Sequence, residues 1–271
     1  MALEPSSVQR DRMLAQGKSS LTLAQFLAFK DMDAVREYLV ETRNFVLAEK
    51  GTRGHQLKIE QVITTGIFPY QYLVVDSFPT SQAVLMAHEK TREIRLAALI
   101  SCYALLIQPH PWLPGIVKSL GFLQSPLTSL LNTAEAKTIP ESPGTLNPDT
   151  DPDLEKVREF GSRDLDQPFF MMNLNQFYPQ GKRSYHLYSA WITPFLVSVG
   201  GFPDMYGKVI GSYIGDQNDP LYISWHDFAL VYYPSRDSFL RLMTNTPRGA
   251  AAIRRGGLKQ VVLMAGSKTR S

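Results

Sequence analysis

Two amides in an otherwise apolar segment are the first residues whose type and spacing indicate chemistry. The stretch "FFMMNLNQF", Phe169 to Phe177, alternates as a β-strand does, and it carries Asn173 and Asn175 two residues apart. In an extended chain both side chains therefore project from the same face of the sheet. Because a buried amide without a partner costs about 1–3 kcal/mol, that face is expected to offer a ligand or a water molecule.

A carboxylate and an imidazole stand next to each other in a later segment, "SWHDFALVYY", as Asp227 and His226. Either group is able to move a proton, and the two amides are able to stabilise the oxygen of a developing enolate or phenolate. The sequence therefore predicts acid–base catalysis. The alternatives are structural. Asn173 is also suited to bonding the backbone or a buried water. Asp227 is suited to pairing with Lys208 or an arginine, and His226 to a structural or exposed position.

Other chemistries lack their sequence signatures. The five histidines, at positions 55, 88, 110, 186 and 226, show neither H-x-x-x-H nor H-E-x-x-H spacing, so no metal site is predicted. There is no P-loop or G-x-S-x-G elbow, and the glycines of "GKVIGSYIG" have the wrong spacing for a dinucleotide site. Cys102 lies inside an apolar run, which indicates an inert thiol. The sequence thus predicts a protein without a cofactor.

Composition excludes several classes of partner. Of the 271 residues, 44% are hydrophobic and 20% are charged, and the net charge of +3 is spread along the chain, which argues against nucleic acid. The N-terminal "MALEPSSVQRDR" has no apolar core of a signal peptide, and the longest apolar run, residues 96–107, is too short to span a bilayer. With a single cysteine, the expected location is the reducing cytoplasm, away from membranes.

The order of predicted elements repeats within the chain. In the C-terminal half, "QPFFMMNLNQF" predicts a strand and "GKRSYHLYSAWITPFLVSVGG" a helix. Two strands around the turn "DQNDP", a helix that begins at Ser235 and is interrupted near Pro247, and a last strand follow. This β-α-β-β-α-β order is that of a ferredoxin-like unit.

The N-terminal half gives a matching series, whose first strand is the less regular "LTLAQFLAFK". The segments "QYLVVDSFPTSQAVLM" and "HDFALVYYPSRDSFLRLM" align with Pro79 against Pro234, each between a strand and a hydroxyl that begins a helix. This match predicts two ferredoxin-like repeats, although strand-Pro-Ser/Thr-helix is also a common local sequence. The predicted domains are an N-terminal repeat at residues 1–109, a connector with a Pro-rich linker at 110–166, and a C-terminal repeat at 167–271.

The C-terminal half resembles a family of small uncharacterised proteins in the dimeric α+β-barrel superfamily. The resemblance spans residues 147–266 and rests on "FFMMNLNQFYP", "RSYHLYSAW" and "VYYPSRDSFLRLM", where the family strand is typically M-L-N-L-x-x-F. Superfamily relatives include cofactor-free quinone-forming monooxygenases, muconolactone isomerase, polyketide cyclases and haem-binding chlorite dismutases. The resemblance implies an α+β fold in which tandem ferredoxin-like repeats pack sheet against sheet as an intramolecular barrel.

Alternation along the strands predicts which side chains enter that barrel. Phe228 and Leu230, together with the apolar residues that alternate with the amides in "FFMMNLNQF", are predicted to face the helices. The opposite parity then lines the lumen, and a tyrosine of the first C-terminal helix joins it at the mouth. The predicted wall consists of Asn173, Asn175, Asp227, Trp225, Tyr70, Tyr72 and Tyr185. Such an aromatic wall with a few polar groups is typical of a small-molecule site, and the aromatic residues are equally suited to packing between sheets.

These residues predict a cofactor-independent enzyme that uses acid–base chemistry on a hydrophobic oxygenated small molecule, such as a polyketide- or terpenoid-type intermediate. An aspartate in an aromatic lumen is expected to have a raised pKa, which suits a general base. Cyclisation, isomerisation and elimination fit this description. The alternatives are a non-catalytic small-molecule-binding pseudo-dimer and a cofactor-free monooxygenase. The chain is expected to be a monomer with an internal pseudo-dimer, or a homodimer if the C-terminal sheets of two chains pair instead.

Overall fold

The computed structural model describes residues 2–66, 68–110, 147–246 and 248–269, and within them the strands close one antiparallel barrel. The strands are β1 (Leu21–Phe29), β2 (Thr52–Val62), β3 (Tyr72–Phe78), β4 (Leu99–Pro109), β5 (Phe169–Phe177), β6 (Phe202–Ile214), β7 (Asp227–Tyr233) and β8 (Leu258–Lys268). The helices are α1 (Ser7–Leu14), α2 (Ala34–Ala48), α3 (Ser81–Lys90), α4 (Arg92–Ala98), α5 (Leu154–Gly161), α6 (Gly181–Ser198), α7 (Arg236–Asn245) and α8 (Arg248–Gly257). Among the described residues, no helix combines the length and the apolar character needed to cross a membrane.

Each half of the barrel is one ferredoxin-like sheet. The strand order around the barrel is β1-β3-β2-β8-β5-β7-β6-β4, so the four strands of each repeat are contiguous. Two antiparallel seams join the repeats. Lys58 lies opposite Ser267 in the seam between β2 and β8, and Ile107 lies opposite Val209 in the seam between β4 and β6. The predicted tandem ferredoxin-like fold is confirmed, and closure leaves neither sheet with an open edge.

Both helices that follow a strand-ending proline begin at a hydroxyl side chain, as predicted. Thr80 Oγ1 accepts a hydrogen bond from the backbone N–H of Ala83 (3.2 Å), and Ser235 Oγ accepts one from that of Ser238 (3.0 Å). Each hydroxyl satisfies one of the N–H groups that the first turn of a helix leaves unpaired. These caps fix where α3 begins after β3 and where α7 begins after β7.

Three local features differ from the prediction. Helix α1, which begins with a capping box, has no predicted counterpart. The second helix of the N-terminal repeat is divided into α3 and α4 at Thr91, whose hydroxyl bonds to a carbonyl of the preceding turn. Strand β7 begins only at Asp227, because the residues before it form a tight turn. In that turn the backbone N–H of Trp225 donates a hydrogen bond to the carbonyl oxygen of Ile223.

The predicted connector and the last helix are described in part. Residues 111–146 and Pro247 lie outside the described residues. The short charged helix predicted ahead of the asparagine strand is present as α5. Asp153 caps it by accepting hydrogen bonds from the N–H groups of Glu155 (3.0 Å) and Lys156 (3.4 Å). The last helix is divided into α7 and α8 close to position 247, as predicted.

The barrel interior is a hydrophobic core and not a lumen. Every strand contributes buried side chains to one apolar cluster, which includes Phe26, Leu57, Leu73, Leu105, Met172, Val209, Phe228 and Met264. An eight-stranded barrel is just wide enough for its own side chains to fill it. The prediction that Phe228 and Leu230 face the helices is therefore wrong, because both point into the barrel.

The opposite faces of the strands lie under the helices. Phe169, Met171 and Phe177 of β5 pack with residues of α6 and α7, and Asn173 and Asn175 share their parity. The prediction that the two amides face a lumen is wrong. The prediction fails because both faces of each sheet are buried, one by barrel closure and the other by helices. Alternation of polarity therefore separates two buried faces, and the more uniformly apolar face takes the sealed interior.

The N-terminal segment is held against α3 and α4 by a buried charged cluster. Arg95, 1% exposed, donates a hydrogen bond to Glu4 (2.7 Å), and its Nη2 lies 2.9 Å from Nε2 of His88. The same nitrogen lies 3.2 Å from Oε2 of Glu4, so a group that only donates and a group that only accepts both meet it. Burial and the charge of Arg95 lower the pKa of His88 to about 4, although Glu4 opposes this shift.

Helix α6 is set against α8 by a close contact between two glycines. Gly181, the first residue of α6, lies so near the carbonyl oxygen of Gly257, the last residue of α8, that an added Cβ would overlap with that oxygen. Only glycine permits this approach. The contact therefore fixes the start of α6, the helix that covers the asparagine strand.

Replacing Gly181 with alanine is expected to lower the free energy of unfolding by about 1–3 kcal/mol, because the new methyl group has to displace backbone. Gly256 has open space beside its Cα, so Gly256→Ala is the matched control. That variant is expected to be neutral or stabilised by up to about 1 kcal/mol through helix propensity. Urea unfolding followed by circular dichroism measures both variants, and equal stability of the two would contradict the glycine contact.

The protein is expected to lose stability below neutral pH through His88. This residue titrates near 6.5 in the unfolded chain and near 4 in the folded chain, so the unfolded state takes up the extra proton as the pH falls between these values. A loss of about 2 kcal/mol in unfolding free energy is expected between pH 7 and pH 5. The pKa of Glu4 is also lowered from 4.5, which places its titration below this window. In His88→Gln the loss of unfolding free energy between these pH values should be clearly smaller. Urea unfolding curves of both proteins at pH 7 and pH 5 measure it. An unchanged loss in the variant would exclude His88 as its source.

Candidate functional site

Polar side chains from four elements meet on the outer face of the C-terminal sheet, beneath the start of α6. They come from the end of β5, the middle of β6, the start of β7 and the first turns of α6. Asn175 and Asp227 lie directly opposite each other in the register of β5 and β7, which places both side chains on one face. The members, named here the Asp227 cluster, are Asn175, Lys182, Tyr185, Tyr206 and Asp227.

Asp227 is a buried carboxylate with a different partner on each oxygen. Its side chain is 1% exposed, and Oδ1 lies 3.5 Å from Nζ of Lys182, whose side chain is 49% exposed. Oδ2 accepts a short hydrogen bond from the phenol of Tyr206. Burial, and then the bond to Asp227 and its charge, raise the pKa of Tyr206 above the ordinary range. The carboxylate is therefore held between a neutral phenol and an ammonium group that reaches solvent.

Asn175 is fully buried and only half satisfied. Nδ2 donates to the phenolic oxygen of Tyr185 (3.2 Å), whereas Oδ1 has no hydrogen-bond partner among the described residues. Burial raises the pKa of Tyr185 above the ordinary range, so this phenol keeps its proton. Because Tyr185 accepts from Asn175, its own hydrogen remains available to another acceptor. An unpartnered buried acceptor costs about 1–3 kcal/mol, so this arrangement is not the most stable one for the position.

His226 lies beside the Asp227 cluster, but its ring is engaged in holding the strands. The backbone N–H of Phe177 donates to Nδ1 (2.8 Å), and the two rings stack with centroids 5.6 Å apart. The backbone N–H of His226 donates to the carbonyl oxygen of Asn175 (2.8 Å). These bonds tie the end of β5 to the start of β7, which agrees with the structural alternative for this histidine.

Two predicted site residues lie on helix-covered faces without joining the cluster. Asn173 donates from Nδ2 to the carbonyl oxygen of Met171 (3.0 Å), so its amide is bonded locally to the backbone. Tyr72 belongs to the other repeat, where its ring meets that of Phe29 edge-on with centroids 5.4 Å apart. Tyr72 packs under the N-terminal helices, and its predicted place in a lumen is wrong.

Tyr70 and Trp225 do lie in the barrel interior, at the end closed by the loop before β7, but as core residues. Each is 4% exposed and belongs to the interior cluster. The phenol of Tyr70 donates a short hydrogen bond to Asp219, and the indole N–H of Trp225 donates to the carbonyl oxygen of Leu221 (2.8 Å). The prediction that they share a wall with the two asparagines is wrong, because the amides lie on the opposite face of the sheet.

The fold thus brings Asn175, Tyr185 and Asp227 together, with His226 beside them, and adds two residues that the sequence analysis missed. Tyr206 has the parity of Lys208, which lies opposite Asp227 in the register of β6 and β7, so aligning β6 with β7 would have found it. Lys182 precedes Tyr185 by three residues, which places both on one helix face. The ion pair of Asp227 is made by Lys182, not by Lys208 as one alternative had it.

The N-terminal repeat carries its own buried carboxylate on the helix-covered face, but there the charge is neutralised. Arg53 donates to both oxygens of Asp76, at 2.7 Å from Nε and 3.1 Å from Nη2. Thr42 and Gln25 bond to the same pair. The adjoining cavity of about 20 Å³ has room for about one water molecule. Asp76 therefore serves an internal ion pair, and the Asp227 cluster is the stronger candidate site.

The Asp227 cluster contains the parts needed to move a proton. It combines a buried carboxylate, two phenols whose pKa values are raised, an ammonium group and an amide oxygen without a partner. In the part of the chain that the structure describes, no group of three or more His, Cys, Asp or Glu side chains is arranged to hold a metal ion.

Comparison with known proteins gives similarity of fold. No family model matches this sequence, and no curated protein does. A protein of unknown function from Rhodopseudomonas palustris is 25% identical over 45% of this chain and 98% of its own, with a TM-score of 0.40. An anthrone oxidase-like protein is 10% identical over 94% of this chain and 93% of its own, with a TM-score of 0.48. Chlorite dismutase from Candidatus Nitrospira defluvii in complex with imidazole is 8% identical over 95% and 94%, with a TM-score of 0.42.

These structures are similar to the present chain in the arrangement of their strands and helices. Since every one of these TM-scores is below 0.5, the similarity carries no argument about activity, and the names describe those proteins alone.

Proposed function

We propose that this chain is a cofactor-independent enzyme that moves a proton on a hydrophobic oxygenated small molecule bound at the Asp227 cluster. The observation that carries the proposal is the buried carboxylate of Asp227, held by a phenol and an ammonium group, next to the unpartnered amide oxygen of Asn175. Buried polar groups are nearly always bonded in native proteins, so an exception calls for a reason. A ligand with a hydroxyl group would supply the missing donor.

In this proposal Asp227 is the base. Its carboxylate takes a proton from a carbon next to a carbonyl group, and the electrons of that C–H bond form an enolate. Tyr185 donates its free phenolic hydrogen to the enolate oxygen, and Lys182 adds positive charge from the solvent side. Asn175 has two roles, because its Oδ1 accepts a hydrogen bond from the ligand and its Nδ2 holds the oxygen of Tyr185. Tyr206 keeps Asp227 in place by its hydrogen bond.

The group that finally receives the proton taken by Asp227 decides the reaction class. If the protonated Asp227 returns it to a different carbon of the enolate, the substrate is isomerised with no net change in composition. If a leaving hydroxyl group on a neighbouring carbon takes it, water is eliminated. If the enolate carbon attacks a second carbonyl group of the same molecule, the ring closes, and the oxygen of that carbonyl group takes the proton from Asp227. All three begin with the same abstraction, which is therefore the step to measure.

Two bicyclic probes separate abstraction from binding. 2-Tetralone carries acidic protons next to its carbonyl group, and their exchange for deuterium in D₂O reports enolate formation by NMR. 2-Naphthol has the shape of the corresponding enol but no exchangeable C–H at that position, so it reports binding alone. A protein that binds 2-naphthol without accelerating exchange would be the non-catalytic binder, and consumption of dioxygen with either probe would indicate the monooxygenase alternative.

Asp227→Asn is expected to slow the exchange of 2-tetralone by about 10²-fold or more, because the amide cannot accept the proton, while binding of 2-naphthol changes little. Asp219→Asn is the matched control, since Asp219 is also buried and also accepts a short hydrogen bond from a tyrosine. That variant should exchange at the wild-type rate. Absence of exchange in the wild-type protein, or equal rates in the two variants, would contradict Asp227 as the base.

Asn175→Leu is expected to separate activity from stability. The leucine removes the unpartnered oxygen, so the free energy of unfolding should stay equal or rise by about 1 kcal/mol. It also releases the oxygen of Tyr185, so exchange of 2-tetralone should fall by at least about tenfold. Asn173→Leu is the control, because its amide bonds only to the backbone of its own strand, and it should leave the exchange rate unchanged. If Asn175→Leu destabilises the fold and retains full exchange, Asn175 has a purely structural role.

A further inference from the structure

A second concave site lies outside the Asp227 cluster, between α1, β6 and the loop that precedes β7. It encloses about 390 Å³, which falls within the range of ordinary small-molecule pockets. Its floor is formed by β6 from Val209 to Ser212, and its walls by the end of α1 and by residues 222–225. We name it the Arg12 groove, after the charged side chain that it contains.

The groove exists because two neighbouring strands separate. Strand β7 begins at Asp227, opposite Lys208 of β6. Next to this pair, the backbone N–H of Val209 donates a hydrogen bond to the carbonyl oxygen of His226 (2.8 Å). Beyond that point β6 continues to Ile214 beside β4 alone. The loop before β7 runs alongside at a distance, so the gap between the two is built into the barrel.

Helix α1 delivers Arg12 to this gap. The side chain of Gln9 donates to the hydroxyl of Ser212 (3.3 Å) and to the carbonyl oxygen of Gly215 (3.0 Å), and Met13 is fully buried. Arg12 lies three residues after Gln9 and therefore on the same side of the helix. These contacts hold the helix against β6 near the C-terminal end of the strand.

Strand β6 leaves room for the guanidinium group of Arg12 at Gly211, which has no side chain. A Cβ added to Gly211 would lie 2.5 Å from Nη1 of Arg12 and 3.1 Å from its Cδ. The arginine therefore lies flat over the backbone of β6, where a side chain would otherwise stand. Its position is set by the missing side chain at Gly211.

Within the part of the chain that the structure describes, Arg12 has no counter-ion. Arg10 of the same helix pairs with Glu89 at 3.3 Å, whereas the guanidinium group of Arg12 makes no ion pair or hydrogen bond with any of the described residues. Hydroxyl groups of Ser212 and Ser224 line the same groove, and Tyr222 lines it with a ring that is 45% exposed. A positively charged guanidinium group, two hydroxyl groups and an aromatic wall match an aromatic oxyanion.

We propose that the Arg12 groove binds a small aromatic oxyanion, with its carboxylate or phosphate group on Arg12 and its ring against Tyr222. The guanidinium fork donates two parallel hydrogen bonds to such a group. Ser212 and Ser224 supply further hydroxyl donors. The buried Trp225 belongs to one wall, and Asp227 is not one of the residues that line the groove. The groove is therefore a binding site separate from the proposed reaction.

Fluorine NMR titration of the full chain tests this proposal with three probes of one shape. 4-Fluorobenzoate and 4-fluorophenyl phosphate carry the two kinds of oxyanion, and 4-fluorobenzamide is the neutral counterpart. Saturable binding is expected for at least one oxyanion, at least tenfold tighter than for the amide, and the tighter of the two identifies the group. Equal binding of the amide, or no saturation by either oxyanion in the millimolar range, overturns the proposal.

Variants of the same helix and strand locate the binding. Arg12→Gln should weaken oxyanion binding at least tenfold, and Gly211→Ala should weaken it too, because the new methyl group displaces the guanidinium group while the charge remains. Arg10→Gln, which removes the neighbouring arginine of α1, and Asp227→Asn should bind as the wild type does. Undiminished binding by Arg12→Gln overturns the assignment, whereas loss in Asp227→Asn would move the ligand to the other site.

Discussion

The closure of two sheets into one barrel is the constraint on which the rest of this structure depends. Pairing of β2 with β8 and of β4 with β6 seals a single interior, and eight strands leave no more space inside than their own side chains fill. Polar side chains are therefore excluded from the inside of the barrel, except at its ends. A buried carboxylate or amide on a strand is therefore better placed on the outer face, beneath the helices. This is why Asn175, Asp227 and Asp76 are all found between sheet and helix.

The two repeats differ in the partners that they give to a buried carboxylate. In the N-terminal repeat, a bidentate bond from Arg53 satisfies the buried carboxylate of Asp76, and an internal pair of this kind leaves the charge with nothing further to bind. In the C-terminal repeat, Asp227 has a phenol and a half-exposed lysine as partners. The amide of Asn175 beside it keeps one oxygen unpartnered. The two buried carboxylates thus differ in their surroundings: Asp76 is paired with an arginine inside the protein, whereas Asp227 lies next to an amide oxygen that has no partner among the described residues.

Rigid elements hold the Asp227 cluster in place. The register of β5 and β7 sets Asn175 against Asp227, His226 ties the ends of those strands together, and the contact of Gly181 with Gly257 fixes the helix above them. The Arg12 groove depends on the same architecture, since it opens where β7 starts late and β6 runs on. Both sites depend on where strands begin and end, and the loop before β7 completes the Arg12 groove.

The sequence by itself determined the order of elements, the duplication and the local signals that start and stop helices, because these depend on residues close together in the chain. Thr80 and Ser235, for example, cap their helices by accepting hydrogen bonds from residues three positions further along the chain. It also marked Asn175 and Asp227 as unusual, since polar groups in apolar strands carry a cost anywhere. Only the tertiary structure decided which face they occupy. Alternation distinguishes two faces without saying which is sealed by a second sheet and which is covered by helices. The partners Tyr206 and Lys182, and the gap that holds Arg12, likewise follow from the register between strands distant in the chain, which no local pattern records.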